Sequence, residues 1–93
     1  MPIKTFKCAD TARLFEGLRV KRWIQIERPA LRKLAQLSWS TQLNDLRVPP
    51  GNRLEALKGA REGQFSIRIN RQWRICFRFE DGEAHDVEIV DCH

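Results

Sequence analysis

Residues 65–79 read FSIRINRQWRICFRF. In this stretch apolar side chains alternate with polar or cationic ones in two runs, residues 65–69 and residues 73–79. A period of two residues is typical of a β-strand that buries one face and exposes the other. The stretch therefore predicts two strands, each with one buried face, separated by a short turn at residues 70–72.

A third strand is predicted over residues 84–91, after a turn at Asp81-Gly82. The length of the loop decides which side chains of this strand face the core. A two-residue loop would set Phe77 opposite Asp86 and bury a carboxylate, whereas a three-residue loop would set Phe77 opposite Val87. We therefore expect the three-residue loop.

The same register pairs Ile75 with Ile89 and gives the sheet two different faces. The apolar face is expected to pack on helices. The outer face should carry opposite charges side by side, and its expected members are Arg68, Arg74, Arg78, Asp86 and Glu88.

The first half of the chain has the pattern of two helices. Asp10 is placed to cap a short helix over residues 11–16, which Gly17 would end. A longer helix is expected from about Ile24 or Pro29 to Leu37. Its apolar positions at helical spacing predict an inward face made of Leu31, Leu34, Ala35 and Ser38.

Shorter segments flank these helices. Residues 3–6 alternate only briefly, and we expect an edge strand there. Residues 41–46 predict one further helical turn, with Leu43 and Leu46 inward. The breaker cluster Pro49-Pro50-Gly51 then marks a surface loop between the two halves of the chain.

The length and composition limit the class of protein. The chain has 93 residues, which fits one domain over residues 1–93, because so short a chain cannot bury a second core. No run approaches the roughly 20 apolar residues that cross a bilayer, and the first residues lack the apolar core of a signal peptide. We expect a soluble, cytoplasmic protein.

The cysteines and histidines are few. Three cysteines and two histidines are scattered along the chain. Their number and spacing fit neither a disulfide framework nor a zinc site. We therefore expect reduced thiols and no metal.

The charge is unevenly distributed along the chain. The net charge is +5. Between Arg53 and Arg78 there are seven cations and two acids, whereas from Glu80 onward there are six acids and no Lys or Arg. A basic segment of this kind suits a polyanionic partner such as RNA.

Three motifs, taken in order, resemble those of HigB-type toxins within the RelE/ParE-like group. Leu54-Glu55-Ala56-Leu57-Lys58-Gly59, continuing to Phe65-Ser66-Ile67, is similar to their Leu-x-x-Leu-Lys-Gly segment with its Ser-Ile strand. Residues 70–77, NRQWRICF, resemble their Asn-x-x-Trp-Arg-Ile-x-Phe strand, and Asp91-Cys92-His93 resembles their terminal Asp-Tyr-His. Together the matches span nearly the whole chain.

The resemblance implies a RelE-like α+β fold, in which two N-terminal helices pack on a small twisted antiparallel β-sheet. It also implies the toxin of a type II toxin–antitoxin system, an endoribonuclease that cuts mRNA on the translating ribosome without a metal or an organic cofactor. A helix-turn-helix antitoxin would neutralise it. The expected partners are thus this antitoxin, the ribosome and mRNA, with no membrane.

The resemblance also assigns the catalytic candidates. Metal-free RNA cleavage needs a base for the 2′-hydroxyl, cations for the anionic phosphorane and an acid for the leaving 5′-oxygen. Arg74 and Lys58 would stabilise the transition state, since a guanidinium fork can hold two phosphate oxygens. His93 would transfer a proton, because its ordinary pKa lies near working pH, and Asp91 would orient or charge it. Whether His93 acts as acid or base stays open.

Two positions depart from the family pattern. Many relatives carry a histidine where this chain has Glu55, so Glu55 is a candidate base, and their penultimate tyrosine is Cys92 here. Trp23 and Trp39 could stack on bases, although core or antitoxin-interface roles are favoured. Phosphate contacts are expected from the remaining central cations, Arg53, Arg61, Arg68 and Arg71.

Two other functions stay open for this sequence. ParE-like relatives bind DNA gyrase and do not cleave RNA, but such relatives need no terminal Asp-x-His beside a strand arginine. A noncatalytic RNA-binding module, decayed at Glu55 and Cys92, is the other alternative.

Overall fold

A computed structural model describes residues 1–91 of the chain. In order along the chain they form α1 (Ala9–Phe15), α2 (Glu27–Trp39), β1 (Glu55–Ala56), β2 (Gln64–Arg68), β3 (Trp73–Glu80) and β4 (Glu83–Asp91). Over this range the four strands form one antiparallel sheet in the order β1-β2-β3-β4. The predicted architecture of two helices on an antiparallel sheet is confirmed.

The helices and the apolar sheet face share one core. Leu34 and Leu37 of α2, Ile75 and Phe77 of β3 and Val87 of β4 are all fully buried. The alternation predicted for β2 and β3 is therefore confirmed, because the strands direct one set of side chains toward the helices. The opposite face of the sheet holds Arg68, Arg74 and Arg78, which alternate with the core side chains along β2 and β3.

The helix boundaries differ from those predicted. Asp10 is not a cap: α1 begins two positions earlier than expected, and the Asp10 carboxylate pairs with Arg13 at 3.1 Å. A 3₁₀ segment, Lys21–Ile26, precedes α2, and α2 itself ends at Trp39. The buried face of α2 is shifted from the expected one and is made of Ala30, Leu34 and Leu37.

Short 3₁₀ segments fill the connection between the two halves. Leu43–Arg47 provides the expected turn, with Leu46 buried and Leu43 half-buried, and Pro50–Asn52 and Gly59–Arg61 follow. The two tryptophans have different environments. Trp23 is buried and meets Trp73 edge-on at 6.2 Å, whereas Trp39 is 82% exposed. Trp23 is therefore a core residue.

The predicted loop length of the β3–β4 hairpin is wrong, although the expected pairing of Ile75 with Ile89 is confirmed. Glu80 pairs with Glu83, so the loop has two residues, Asp81 and Gly82, both with positive φ (52° and 76°). A β-bulge between Cys76 and Arg78 then shifts the register by one residue. Because of the bulge, the hairpin can have a two-residue loop and still pair Ile75 with Ile89 on its apolar face.

The N-terminal segment covers the outer edge of β4. Ile3 and Phe6 form isolated parallel bridges with Ala84 and Val87, in place of the regular edge strand expected there. The main-chain nitrogen of Lys4 donates to Ala84 O at 2.8 Å, and the main-chain nitrogen of Ala84 donates to Pro2 O at 2.9 Å. Within residues 1–91, no helix has the length and the apolar character that crossing a membrane requires.

Candidate active site

A shallow pocket lies on the face of the sheet opposite the apolar core. Its floor is formed by Ser66 of β2 and Cys76 of β3, which are paired across the strands and both buried. Because these side chains are small and their neighbours are long, the face is recessed at this point. The pocket has a volume of about 260 Å³ and is lined by Glu55, Leu57, Arg61, Ser66, Arg74, Cys76, Val90 and Asp91.

Arg74 forms the cationic wall of the pocket. Its Nε donates to Ser66 Oγ at 2.8 Å, and its Nη2 donates to the main-chain oxygen of Arg53 at 2.7 Å. Only 11% of the side chain is exposed. The guanidinium is therefore fixed in one orientation, with its charge at the rim of the recess.

Two carboxylates border the same pocket. The Oε2 atom of Glu55 lies 3.9 Å from Nη2 of Arg74, an ion pair open to solvent on the Glu55 side. Asp91 ends β4, and its Oδ2 accepts a hydrogen bond from Gln72 Nε2 at 3.0 Å. The pocket thus combines a guanidinium with two acidic groups within one recess.

Arg61 reaches the pocket from the β1–β2 connection. Its Nη1 donates to Gln64 Oε1 at 3.0 Å and lies 3.5 Å from Oε2 of Glu88. The same Glu88 oxygen lies 3.7 Å from Nζ of Lys7. Part of the Arg61 charge is consequently balanced by Glu88.

Arg78 lies further along β3 and outside the pocket. The hydrogen bonds that the Arg78 guanidinium donates to Asp86 and to Glu80 raise its pKa above the ordinary value. Its Nε lies 3.1 Å from Asp86 Oδ2. This end of the face is therefore neutralised, as the expected neighbourhood of Arg78 and Asp86 implied.

The structure gathers only some of the residues predicted for the site. Arg74, Asp91, Glu55 and Arg61 line the pocket, whereas Lys58, Arg53, Arg68 and Arg71 do not. Lys58 and the side chain of Arg53 are exposed, and Arg68 Nε donates to the main-chain oxygen of Asn70 at 3.0 Å. His93 and Cys92 lie outside the described residues.

Sequence reasoning missed Ser66, Cys76 and Gln72. For Cys76 the available signal was a small residue between Arg74 and Arg78 on one strand face, because a recess needs short side chains at its centre. Gln72 belongs to the turn at residues 70–73, in which Asn70 Oδ1 accepts from the main-chain nitrogens of Gln72 and Trp73, both at 2.9 Å. Its contact with Asp91 crosses from one strand end to another, which no local pattern reveals.

A second recess includes Gln72, the hydrogen-bond partner of Asp91, in its lining. It has a volume of about 620 Å³ and is lined mainly by the 3₁₀ segment before α2 and by the β2–β3 turn. Lys21 and Arg22 supply cations there, and Gln25 and Asn70 supply amides. Among residues 1–91, no group of three or more His, Cys, Asp or Glu side chains is arranged to hold a metal ion.

The sequence matches, over residues 4–93, the model of a family described as the RelE-like toxin of the type II toxin–antitoxin system HigB. The chain belongs to this HigB-like toxin family. Residues 4–93 include the pocket with its two arginines and two carboxylates, so all the described residues of the site lie within the matched region.

Two curated relatives of the HigB-like chain carry informative names. It is 48% identical over 59 residues to Toxin HigB-1 of Vibrio cholerae serotype O1, covering 63% of this chain and 62% of the relative. It is 44% identical over 41 residues to Endoribonuclease HigB of Proteus vulgaris, covering 44% of this chain and 45% of the relative. The matched parts thus span less than two thirds of the length of these relatives.

Solved structures share the fold of the HigB-like chain at low identity. YafQ from Escherichia coli strain BL21(DE3) superposes with a TM-score of 0.63 at 13% identity, covering 96% of this chain and 92% of YafQ. The YoeB–YefM toxin–antitoxin complex of Staphylococcus aureus gives a TM-score of 0.58 at 16% identity, covering 100% of this chain and 99% of that one. The RelE-like fold class is confirmed.

Proposed function

We propose that this chain is the toxin of a type II toxin–antitoxin system and cleaves mRNA on the translating ribosome. One observation carries the proposal: in a chain of the HigB-like family, a guanidinium fixed by two hydrogen bonds borders a pocket that also holds Glu55 and Asp91. The name of the Proteus vulgaris relative, Endoribonuclease HigB, supports the same activity.

The proposed reaction is attack by the ribose 2′-oxygen on the adjacent phosphorus. The bond from that oxygen to phosphorus forms, the bond from phosphorus to the 5′-oxygen breaks, and a 2′,3′-cyclic phosphate results. A base removes the 2′-hydroxyl proton and an acid delivers a proton to the 5′-oxygen. The reaction needs no metal or organic cofactor, provided that cations stabilise the charge of the phosphorane.

Candidates for these roles come from the pocket lining, from Lys58, which is not part of that lining, and from His93. Arg74 would bind the nonbridging phosphate oxygens, and Lys58 would add a second positive charge. His93 follows Asp91, a residue of the pocket lining, by two positions in the sequence. His93 would transfer a proton while Asp91 orients or charges it, and Glu55 is a second candidate base.

Other basic residues would bind RNA by its backbone. Arg61 borders the pocket, and Arg53, Arg68 and Arg71 are on the same half of the chain. Such phosphate contacts are independent of sequence and weaken as salt rises. They would hold the message and ribosomal RNA while the pocket acts on one phosphodiester.

The proposal extends to partners and to location. An antitoxin with a helix-turn-helix domain would bind and neutralise the toxin. The YoeB–YefM toxin–antitoxin complex contains a chain with the same fold as this protein, which supports an antitoxin partner. The toxin would act in the cytoplasm, where translating ribosomes are.

Induced expression tests the proposed activity directly. The chain and a variant that lacks His93 are induced in cells, while growth is followed and the 5′ ends of messages are mapped. The intact chain is expected to stop growth and create new 5′ ends within open reading frames, and the shortened chain to create few. Growth arrest with unchanged message ends would contradict the nuclease proposal.

A further inference from the structure

Arg74 is held by two groups that the proposed chemistry does not use. Ser66 Oγ accepts the Nε–H at 2.8 Å, and the main-chain oxygen of Arg53 accepts an Nη2–H at 2.7 Å. Ser66 is fully buried, and its own main-chain oxygen lies 3.4 Å from Nη2. The acceptors come from two separate elements, so together they fix both the position and the plane of the guanidinium.

These hydrogen bonds determine which nitrogen of the Arg74 guanidinium can bind a ligand. The Nε and Nη2 edge is engaged by the protein, and in the described part of the chain no hydrogen bond engages Nη1. Nη1 is therefore the nitrogen left for a phosphate oxygen in the pocket. A guanidinium that keeps its orientation before the substrate arrives loses little freedom when it binds.

The Arg53 oxygen depends on an unusual backbone conformation. Arg53 has φ 46° and ψ 57°, the left-handed region that a residue with a Cβ seldom adopts, and its nitrogen donates to Pro50 O at 3.1 Å. The preceding residue, Asn52, is fully buried, and its Nδ2 donates to Gln36 Oε1 at 2.9 Å and to Leu46 O at 3.1 Å. Helix α2 thus anchors the loop that presents the oxygen to Arg74.

We propose that Ser66 and the main-chain carbonyl of Arg53 are positioning groups for Arg74. They act through Arg74 and need not touch RNA. The sequence suggested only a phosphate contact for Arg53, whereas the geometry gives its backbone a separate role. The catalytic consequence rests on the proposed function, since it is measured as mRNA cleavage.

Three serine variants test the hydroxyl. Ser66→Ala removes the acceptor of the Nε–H, whereas Ser66→Thr keeps a hydroxyl. The control is Ser40→Ala, which removes a buried hydroxyl outside the pocket lining; this hydroxyl donates to Gln36 O at 2.7 Å. In single-turnover cleavage of ribosome-bound mRNA, Ser66→Ala should lose about tenfold in rate constant, with an unchanged half-saturating toxin concentration. Ser66→Thr should recover most of the loss, and Ser40→Ala should lower only the melting temperature. Equal rates in Ser66→Ala and the parent protein would overturn the role of Ser66.

A matched pair at Arg53 separates the backbone from the side chain. Arg53→Gly and Arg53→Val both remove the charge, so any loss of RNA affinity is common to the two variants. Glycine adopts the left-handed conformation readily, whereas a β-branched residue resists it. The valine variant should therefore cleave about tenfold more slowly than the glycine variant, and equal rates would overturn the role of the carbonyl.

A measurement without RNA separates this proposal from the proposed nuclease activity. The ¹⁵N-labelled full chain is used to follow solvent exchange of the Arg74 Nε–H by NMR. Exchange should be slow in the parent protein and at least tenfold faster in Ser66→Ala, because the buried acceptor is gone. If the parent protein cuts no message, the nuclease proposal fails while this readout still tests positioning. If exchange is equal in the two proteins, the positioning proposal fails even when cleavage is observed.

Discussion

At Arg74 the shape of the side chain matters as well as its charge. A lysine at this position keeps a positive charge but has one nitrogen, which cannot bond Ser66 and Arg53 O and also point into the pocket. We expect Arg74→Lys to lower mRNA cleavage by about 100-fold, the usual effect of losing one transition-state donor. The control is Arg78→Lys on the same strand, whose charge is balanced by Asp86 and Glu80. Similar rates for both variants would contradict the role of Arg74.

Asp45 gives the protein a defined response to acid. The main-chain N–H groups of Thr41 and Gln42 donate to Asp45 and hold the pKa of this carboxyl below its ordinary value. A depressed folded-state pKa stabilises the protein above the unfolded pKa, and this contribution disappears as the pH falls through the folded pKa. We therefore expect Asp45→Asn to be less stable than the parent protein at neutral pH.

The difference should begin to shrink below about pH 4, where the unfolded carboxyl takes up a proton. It should vanish once the pH is below the depressed folded-state pKa, because the protonated carboxyl then resembles the amide. Urea unfolding of both proteins between pH 2 and pH 7 measures it. A stability gap that stays constant across this range would refute the assignment to the Asp45 charge.

Single residues also show where sequence reasoning succeeds at the site and where it stops. Arg74 was predicted because it lies in a strand motif whose order and spacing are local. Ser66 and the Arg53 carbonyl could not be predicted, since one depends on strand register and the other on a backbone angle. His93 and Lys58 stay predictions as catalytic residues.

At the scale of elements, the β3–β4 hairpin shows why local patterns mislead. The apolar positions predicted the pairing of Ile75 with Ile89 correctly, and a regular ladder from that pairing requires a three-residue loop. The chain instead uses Asp81-Gly82 and absorbs the extra residue in a bulge, where Asp86 has φ 53°. Alternation specifies which face is buried, but it does not say where an irregularity lies.

The hairpin turn itself provides a stability test. Gly82 has φ 76°, a conformation that costs about 1–2 kcal/mol for a residue with a Cβ. We expect Gly82→Ala to destabilise the protein by about that amount in chemical unfolding. Gly51→Ala is the matched control, because Gly51 does not have a positive φ and an added Cβ there meets no atom within 4 Å. Equal stabilities of the two variants would show that the turn tolerates alanine.

At the scale of the whole molecule, the charge distribution should control RNA binding. A short single-stranded RNA is titrated between 50 and 300 mM salt with a chain that lacks His93, so that the probe stays intact. Replacing Arg68 and Arg71 by glutamine should reduce the slope of log affinity against log salt by about one per cation removed. Arg13→Gln should leave the slope unchanged, because Arg13 is paired with Asp10. An unaltered slope in the double variant would exclude both arginines as phosphate contacts.

The overall architecture was predictable to a greater extent than its details. Period-two alternation in the second half and helical spacing in the first half predicted two helices on a sheet, and the motifs predicted the RelE-like class. The short strand Glu55–Ala56 and the 3₁₀ segments were not predicted as such, because each is too short to have a period of its own.

The segment that lies along β4 has a consequence for any inhibitor. Sheet edges are where foreign strands attach, yet Ile3 and Phe6 already occupy one edge, and the other edge ends in the two residues of β1. A peptide that neutralised the protein by adding a strand to β4 would first have to displace the N-terminal segment from Ala84 and Val87. Ligands that bind through side-chain contacts do not need to displace this segment. Selections for inhibitors should therefore favour helices and loops over extended peptides.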